Sequence, residues 1–412
     1  MKAITTILLS VTYYFSFGQC DNRYFDPIFD SVTTTTVEYS SVYNLDVDIF
    51  QPVGDTFSER PLIIFAHGGA FYTGNKESGT MVSLCTDFAR RGYVTASIQY
   101  RLAGSLFDLL DSTVAIDIVV KAVSDGKASI RFFRDSHANG NPYGIDPNQI
   151  YSGGNSAGGV LFAHAAVVDS SEVSGYVETA FNNNGGIEGN SGNPGYNSQV
   201  KAVVNLAGAI NQKAWIDSSD PAIVSCHGTL DATVPYNCGD PLTSITQGLV
   251  DVVDLCGGGK MQERIDQVGG VGALRTFWES DHVPWSVIAE DYDLMFEFVR
   301  DFLYQSLDCS GGQITLKSDT VNYVKDTLTS ITGIESIETT IYPNPASGNI
   351  NIELANQEDV EIAIVNLSGQ LMLKEVIIGS HELDVSTLAE GIYIIEVKSG
   401  SKKMFHKISI VR

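Results

Sequence analysis

The chain is short of basic residues. Its 412 residues include 25 lysines and arginines against 49 aspartates and glutamates, so the formal net charge at pH 7 is -24. A surface of this sign repels the phosphates of nucleic acids and of anionic membranes. We therefore expect no nucleic acid and no membrane among its partners, and we attribute the acidity to solubility.

Long apolar runs are also missing beyond the N-terminus. Residues 3–17 form an apolar stretch after Met1-Lys2, but the stretch is too short to span a bilayer. Small residues follow it, which is typical of a signal peptide, and we predict one over residues 1–18 and an exported mature protein. The alternative is a lipoprotein acylated at Cys20, but Gln19 is bulky where a small residue is expected.

Cysteines are few, and their number is even. Six cysteines in an exported chain indicate disulfides. Our first pairing is Cys238 with Cys256, because these two bracket one insertion, and our second is Cys20 with Cys85. Cys226 lies at the end of an apolar run, and its alternative interpretation is a free thiol in the core.

A possible nucleophile lies in Gly154-Asn155-Ser156-Ala157-Gly158. The preceding residues 149–152 are strand-like, and a helix-like stretch begins at Ser156. A Gly-x-Ser-x-Gly elbow requires this succession of strand, tight turn and helix, in which small residues leave the serine hydroxyl exposed. The motif also arises by chance in glycine-rich loops, and the chain has 39 glycines.

An upstream segment strengthens this hypothesis. Residues 61–66 are continuously apolar, which favours a strand buried on both faces, and they lead directly into His67-Gly68-Gly69-Ala70-Phe71. Glycines after a buried strand free N–H groups for an oxyanion hole, in which each donor lowers the barrier by about 3 kcal/mol.

A serine nucleophile needs an imidazole base and an orienting carboxylate. Five of the seven histidines lie in the glycine turn, a polar loop, the helix after the elbow or the C-terminal segment: His67, His137, His164, His381 and His406. His227 and His282 remain, and each follows or ends a strand-like run. Asp231 lies just past His227. Ser156, Asp231 and His282 then occur in the order nucleophile, acid, base.

Simpler interpretations of these residues exist. Asp231 could be a turn-forming aspartate, and His282 a surface histidine beside an acid. Asp281 and Glu279 are other possible acids, but residues this close in sequence to the histidine cannot easily turn back onto its ring.

From about residue 40 to 305 the chain resembles the α/β-hydrolases, and it is similar to secreted carboxylesterases and feruloyl-esterase-like enzymes with a His-Gly-Gly-x-Phe oxyanion segment. The matching stretches are residues 67–71, 91–101, 143–147, 227–231 and 281–282. The resemblance implies a mostly parallel central sheet flanked by helices over residues 19–305. The serine ester hydrolysis that the resemblance implies needs no cofactor, and we assign no metal ligand.

The same resemblance implies roles for individual residues. Ser156 is the expected nucleophile, His282 the base and Asp231 the orienting acid. The N–H groups of Gly69, Ala70 and Ala157 are the expected oxyanion hole. Relatives often carry a third glycine at the position of Ala70; an alanine keeps its N–H, and we expect the hole to survive if its backbone is not left-handed.

The composition changes after a helix-like stretch at residues 293–303. Residues 306–339 are rich in Ser, Thr, Gly and Asp, which is typical of a linker. Short alternating runs separated by turn residues then predict a small β-sandwich over residues 340–412.

This C-terminal segment resembles the type IX secretion C-terminal sorting domain. The matching motifs lie at residues 342–345, 366–369 and 388–393. The resemblance implies the secretion machinery as a partner of residues 340–412, export to the outside or surface of a Gram-negative cell, and removal of the domain. The alternative is a carbohydrate- or polymer-binding module.

Two features bear on the substrate. Residues 181–197 are polar and glycine-rich, and we predict a loop near the mouth of the cleft, with a solvated excursion as the alternative. Five aromatic residues beside the catalytic positions are expected to line the substrate site, although core packing explains each one singly: Phe71, Tyr72, Tyr236, Trp278 and Trp285.

The predicted function is a secreted serine carboxylic-ester hydrolase that acts through an acyl-enzyme. Its expected substrates are acyl or feruloyl esters of polysaccharides, or polyesters, and we expect a monomer. The alternatives are a serine peptidase on the same fold and a non-catalytic, hydrolase-like adhesion or binding protein.

Overall fold

The structure of the protein is a computed structural model. It describes residues 20, 22–243, 253–322, 339–354, 359–366, 371–399 and 402–411. The chain divides into two compact units, Met1–Tyr323 and Val324–Arg412. The predicted signal peptide, residues 1–18, lies outside the described residues. Within the described part of the chain, no helix is long and apolar enough to cross a membrane.

The first unit is built on a nine-stranded sheet. Its strands are β1 (Val32–Ser40), β2 (Leu45–Pro52), β3 (Arg60–Ala66), β4 (Val94–Ile98), β5 (Ile145–Asn155), β6 (Ala202–Leu206), β8 (Ala222–Gly228), β11 (Gly272–Phe277) and β12 (Asp319–Val321). A separate small sheet holds β7 (Ala209–Ile210), β9 (Cys238–Gly239) and β10 (Leu255–Gly257).

In space the large sheet runs β1-β2-β4-β3-β5-β6-β8-β11-β12. The strands β1, β2 and β4 pair antiparallel, and every neighbour from β4 onward is parallel. The carboxyl ends of the parallel strands therefore meet at one edge, where ligand sites of open α/β sheets gather.

The parallel strands are apolar because both of their faces are covered. Every residue of β3 is buried, as the continuous apolar run predicts. Since successive side chains of a strand alternate between faces, Leu62 and Ile64 pack into one core and Ile63 and Phe65 into another.

Helices cover the two faces. They are α1 (Gly79–Ala89), α2 (Ser112–Ala138), α3 (Ala157–Val167), α4 (Gly175–Asn183), α5 (Gly258–Val268) and α6 (Ala289–Ser306), with short 3-10 turns at Leu106–Leu110, Lys213–Trp215, Pro284–Ser286 and Asp308–Ser310. Buried residues of α2, α3, α4 and α5 belong to the first core, and those of α1 and α6 to the second. The predicted α/β architecture, a mostly parallel sheet flanked by helices, is confirmed.

Two disulfides are present. Cys238 bonds to Cys256 and joins β9 to β10, which confirms our first pairing. Cys20 bonds to Cys309, so its predicted pairing with Cys85 is wrong. The bond ties the start of the described chain to the turn after α6, and it leaves no free Cys20 thiol for a lipid.

The other two cysteines are free and buried. Cys85 lies on α1 and Cys226 on β8, and both pack into the core between the sheet and α6. The interpretation of Cys226 as a core thiol is confirmed.

The first unit extends further than residue 305. Within the predicted linker, residues 306–339, Cys309 forms its disulfide and β12 pairs in parallel with β11. The Arg275 guanidinium holds the added strand through a hydrogen bond of 2.8 Å to Asp319. Because β12 covers what would be an open strand edge, this polar stretch has a structural role that its composition does not indicate.

From Asn184 onward residues 181–197 form a loop without helix or strand, as predicted, but the segment is not a solvated excursion. The segment begins inside α4, where Phe181 is buried in the core. Further along, Ser191 is fully buried, and the Arg131 side chain on α2 donates a 2.7 Å hydrogen bond to the carbonyl of Glu188. Polar groups anchor the segment to α2, which polar composition alone does not predict.

The second unit consists of β13 (Thr339–Tyr342), β14 (Asn349–Leu354), β15 (Asp359–Asn366), β16 (Leu371–Ile378), β17 (His381–Asp384), β18 (Gly391–Ser399) and β19 (Lys402–Ile410). They form two antiparallel sheets, β13-β14-β17 and β16-β15-β18-β19. Ile350 and Ile352 of one sheet share a core with Ile362 and Ile395 of the other. The predicted small β-sandwich is confirmed.

Replacing both Cys20 and Cys309 by alanine is expected to lower the free energy of unfolding by about 4 kcal/mol, because their bond closes a long loop in the unfolded chain. The two cysteines are 289 residues apart. Guanidinium titration of the secreted protein measures the change. The matched control is the double alanine variant of Cys238 and Cys256, which are 18 residues apart. A larger loss of unfolding free energy in this control than in the Cys20 and Cys309 variant would contradict the prediction.

Candidate active site

Ser156 lies at a sharp turn between β5 and α3. Its backbone has φ +55° and ψ -118°, a conformation that a serine rarely adopts and that structures retain at functional sites. The turn is tight: a Cβ on Gly158 would lie 2.0 Å from the carbonyl oxygen of Ala66, and one on Gly154 would lie 2.5 Å from the same atom. The predicted strand, turn and helix around Ser156 are therefore present, and both glycines are required there.

Ser156, His282 and Asp231 form one hydrogen-bonded chain. The His282 Nε2 lies 2.8 Å from Ser156 Oγ, and its Nδ1 lies 2.6 Å from Asp231 Oδ2. An ionised carboxylate only accepts hydrogen bonds, so Nδ1 carries the proton and Nε2 is free to accept the serine proton. The structure thus brings together the three residues that the sequence predicts as nucleophile, base and acid.

Asp231 is a buried carboxylate with many donors. Its Oδ1 accepts the N–H groups of Thr233 at 2.9 Å and Val234 at 2.8 Å. Burial raises the pKa of this carboxyl, but hydrogen bonds from His227 and His282 outweigh burial and hold the pKa well below its usual range. Asp231 therefore stays negatively charged opposite His282.

His227 is the neighbour of Asp231 whose role sequence reasoning missed. It is fully buried, and its Nδ1 accepts the N–H of Gly258 at 3.1 Å. The proton must then be on Nε2, which lies 3.2 Å from Asp231 Oδ2 and 3.0 Å from the carbonyl of Val234. The only signal in the sequence is a histidine four residues before the acid.

Asp231 and Ser156 occupy both ring nitrogens of His282, so the alternative acids do not orient the imidazole. Asp281 Oδ1 accepts backbone N–H groups from His282 at 2.7 Å and Ala232 at 3.2 Å, so it stabilises the loop. Glu279 is exposed at a backbone position with φ +55°.

The glycine segment after β3 runs beside Ser156. A Cβ on Gly68 would lie 3.2 Å from Ser156 Cβ, and one on Gly69 would lie 2.1 Å from the carbonyl oxygen of Thr73. Gly69, Ala70 and Phe71 have consecutive positive φ angles of 119°, 52° and 56°. This run is strained for the two non-glycine residues.

The backbone of Ala70 is left-handed, so the condition that we set for the survival of the oxyanion hole is not met. The condition itself is wrong, because a rotation about φ turns the chain that follows. The N–H stays in the rigid peptide plane shared with Gly69. The position of the Ala70 N–H therefore depends on the backbone of Gly69 and not on the φ angle of the alanine.

His67 supports this segment. Its Nδ1–H donates to the carbonyl of Gly68 at 2.7 Å, and its ring stacks on Tyr100 with 4.3 Å between centroids. The Tyr100 hydroxyl in turn donates to the carbonyl of His67 at 2.8 Å. Burial lowers the pKa of His67 to about 4, so the ring is a neutral part of the scaffold.

A cavity of about 120 Å³ opens beside Ser156. Ala70 and Ala157 contribute to its wall near the serine, and aliphatic side chains of α2, α3, α4 and β10 form much of the rest: Ile116, Val119, Val120, Val160, Val177 and Leu255. In the sequence these residues have the same apolar pattern as ordinary core residues, so the pattern does not distinguish them as a binding surface.

Of the five predicted aromatic residues, Phe71 alone lines this cavity. Trp285 is 2% exposed, and its Nε1–H donates to Asn155 Oδ1 at 2.9 Å, which supports the elbow. The Tyr236 hydroxyl is bonded to Thr276 at 2.9 Å. Tyr72 and Trp278 are 42% and 51% exposed. These four do not line this cavity, because closeness in sequence to a catalytic residue does not set the direction of a side chain, and their contact with a substrate stays a prediction.

Comparison with known proteins agrees with this architecture. Residues 47–215 match the family BD-FAE, and residues 340–411 match the secretion system C-terminal sorting domain. The first unit therefore has the fold of the α/β-hydrolases and contains a segment that matches this esterase family. The second unit matches the type IX sorting domain, so this is a secreted protein. No curated protein sequence matches the chain.

Among solved structures, the chain is similar to esterase 2 of Thermogutta terrifontis. The propionate-bound form is 22% identical, covering 69% of this chain and 96% of that chain, with a TM-score of 0.48. The apo form is 23% identical, with 66% and 94% covered and a TM-score of 0.49. The form phosphorylated by paraoxon is 23% identical, with 69% and 96% covered and a TM-score of 0.49.

His164 lies at the cavity wall and is a neutral, structural histidine. Its Nδ1–H donates to the carbonyl of Val160 at 2.7 Å, and its Nε2 accepts the N–H of Asn211 at 3.1 Å. Burial lowers its pKa from 6.5 to about 4. A second ring proton, on Nε2, would point at the N–H of Asn211.

We expect His164 to make the folded state less stable in acid. Because its pKa is lower in the folded chain than in the unfolded one, only the unfolded chain takes up the proton between about pH 6.5 and 4. The free energy of unfolding should fall through that range, by about 2 kcal/mol at pH 5 from this residue. Urea titrations at pH 7.5 and 5 of wild type and His164→Gln measure the difference; an identical pH dependence would contradict it.

Proposed function

We propose that the protein is a secreted serine carboxylic-ester hydrolase with Ser156 as nucleophile, His282 as general base and Asp231 as the acid that orients the imidazole. The single observation that supports this most is the continuous hydrogen-bonded chain from Ser156 Oγ through His282 to Asp231. An imidazole held in this way takes the serine proton as the hydroxyl attacks.

In the first step Ser156 Oγ forms a bond to the carbonyl carbon of the ester, and its proton moves to His282 Nε2. The carbonyl oxygen becomes an oxyanion. We assign its stabilisation to the N–H groups of Gly69, Ala70 and Ala157, each of which lowers the barrier by about 3 kcal/mol. The nearness of Gly68 to Ser156 supports this assignment.

The tetrahedral intermediate then collapses. The bond from the carbonyl carbon to the alcohol oxygen breaks, His282 passes its proton to that oxygen, and an ester of Ser156 remains. A water molecule gives a proton to His282 and attacks the acyl group; the second collapse releases the acid, and Ser156 recovers its proton. The charge of Asp231 stabilises the imidazolium in both halves.

We further propose acyl groups on polysaccharides as the natural esters, with polyesters as the second source. Secretion supports a polymeric substrate, since polymers outside the cell do not reach an internal enzyme. Acid release from acetylated polysaccharide, compared with polyester film, separates these two sources.

Ser156→Ala is expected to lower kcat/KM on p-nitrophenyl butyrate by at least about 10⁴-fold, since the covalent step is lost. Asp231→Asn should lower it by about 10⁴-fold, because the imidazole adopts the wrong tautomer. Initial rates of the purified secreted protein measure both.

The matched control is Ser174→Ala, at an exposed serine that precedes α4 and whose side chain makes no cap hydrogen bond. It should retain full activity. Turnover by a folded Ser156→Ala variant would reject the mechanism, and an inactive wild type would favour a binding protein. Faster cleavage of a peptide amide than of the matching ester would favour a peptidase.

A further inference from the structure

We propose that the cavity beside Ser156 binds a compact, unsubstituted apolar acyl group, so that the enzyme prefers short aliphatic acyl esters to feruloyl esters. This inference rests on the proposed ester hydrolysis and narrows its substrate class.

The wall chemistry favours an apolar group. Aliphatic side chains dominate the described lining, beside three aromatic ones, Phe71, Phe181 and Trp215. Its polar residues are Ser156, His164, Asn211 and Thr233. Both ring nitrogens of His164 are bonded, and the Asn211 amide donates to the carbonyl of Asp254 at 2.9 Å. A feruloyl ring carries a phenolic hydroxyl and a methoxy group. Burying a hydroxyl without a hydrogen-bond partner disfavours binding.

The size of the cavity agrees with a small acyl group. Its volume is about 120 Å³. An apolar cavity of about 150 Å³ in another protein holds one benzene molecule. A butyryl or hexanoyl chain is compatible with such a space, whereas a feruloyl group adds a two-carbon spacer and two substituents to a complete ring.

The position of the cavity indicates the acyl side of the ester. Ala70 and Ala157, whose N–H groups we assign to the oxyanion hole, line it together with Ser156, and His282 is not among its lining residues. The departing alcohol must receive its proton from His282 Nε2, so the alcohol lies towards His282. The cavity is therefore left for the acyl chain.

A series of p-nitrophenyl esters with one leaving group tests the preference. From acetate to butyrate, kcat/KM should rise about fourfold per methylene as each enters the cavity. The feruloyl ester should be at least about tenfold poorer than butyrate. A feruloyl ester equal to or better than butyrate would overturn the proposal. If Ser156→Ala abolishes all turnover while feruloyl is preferred, the mechanism stands and the cavity assignment alone fails.

A variant that fills the cavity gives a second test. Val119→Phe places a ring on the α2 wall and should lower the ratio of hexanoate to acetate kcat/KM about tenfold. Val114→Phe makes the same change on α2 at a side chain that is 39% exposed and not part of the wall, and it should leave the ratio unchanged.

Val177→Phe, from α4 on the same wall, covers the case in which Val119→Phe fails to fold. Folded phenylalanine variants that leave the ratio unchanged would overturn the cavity assignment.

We also propose that His227 is a positioning residue for Asp231. The carboxylate receives two backbone N–H groups on Oδ1 and the His227 Nε2–H on Oδ2, the same atom that His282 approaches. His227 is itself held by the N–H of Gly258. These donors fix the plane of the carboxylate towards His282 before any substrate arrives.

Two variants test this role. His227→Leu removes the donor, so kcat for p-nitrophenyl butyrate should fall about tenfold while KM stays within about twofold. His227→Gln keeps an amide N–H and should recover most of the loss. Thermal unfolding of each variant checks that it is folded. An unchanged kcat in folded His227→Leu, or a His227→Gln variant as slow as His227→Leu, would overturn the proposal.

Discussion

Gly154 and Gly158 lie against the carbonyl oxygen of Ala66, and the rest of the site depends on this contact. It presses the turn around Ser156 onto the end of β3, where the glycine segment begins. Neither Gly154 of β5 nor Gly158 of α3 could carry a side chain against the end of β3. The hydroxyl of Ser156 and the N–H groups after β3 can therefore approach one carbonyl group from two sides. The left-handed backbone at Ser156, Ala70 and Phe71 is the strain that accompanies this arrangement.

A second constraint is the buried charge of Asp231. A carboxylate removed from water is costly unless hydrogen bonds replace its hydration. Here two backbone N–H groups and two imidazoles do so, and they keep the pKa low despite burial. The two backbone donors lie in the loop after β8, His227 lies near the carboxyl end of β8, and His282 follows the neighbouring β11. The common edge of parallel strands thus allows residues far apart in sequence to form one polar cluster.

Local patterns predicted a large part of this molecule. The buried strand before His67, the elbow around Ser156 and the alternation in the C-terminal segment depend on neighbouring residues, so composition and spacing suffice to recognise them. The chain order of Ser156, Asp231 and His282, together with the resemblance to the α/β-hydrolases, predicted that they meet. The pairing of Cys238 with Cys256 was accessible for the same reason, since β9 and β10 are close in sequence.

Predictions failed where distant segments meet. Cys20 bonds to a cysteine 289 residues away, and β12 joins the sheet from a stretch whose composition is that of a linker. The sequence by itself determined the two units, the elbow and the identity of the candidate catalytic residues. Only the tertiary structure decided which side chains line the cavity and that His227 contacts Asp231. The physical reason is that a wall side chain and a core side chain have the same local pattern, and only packing separates them.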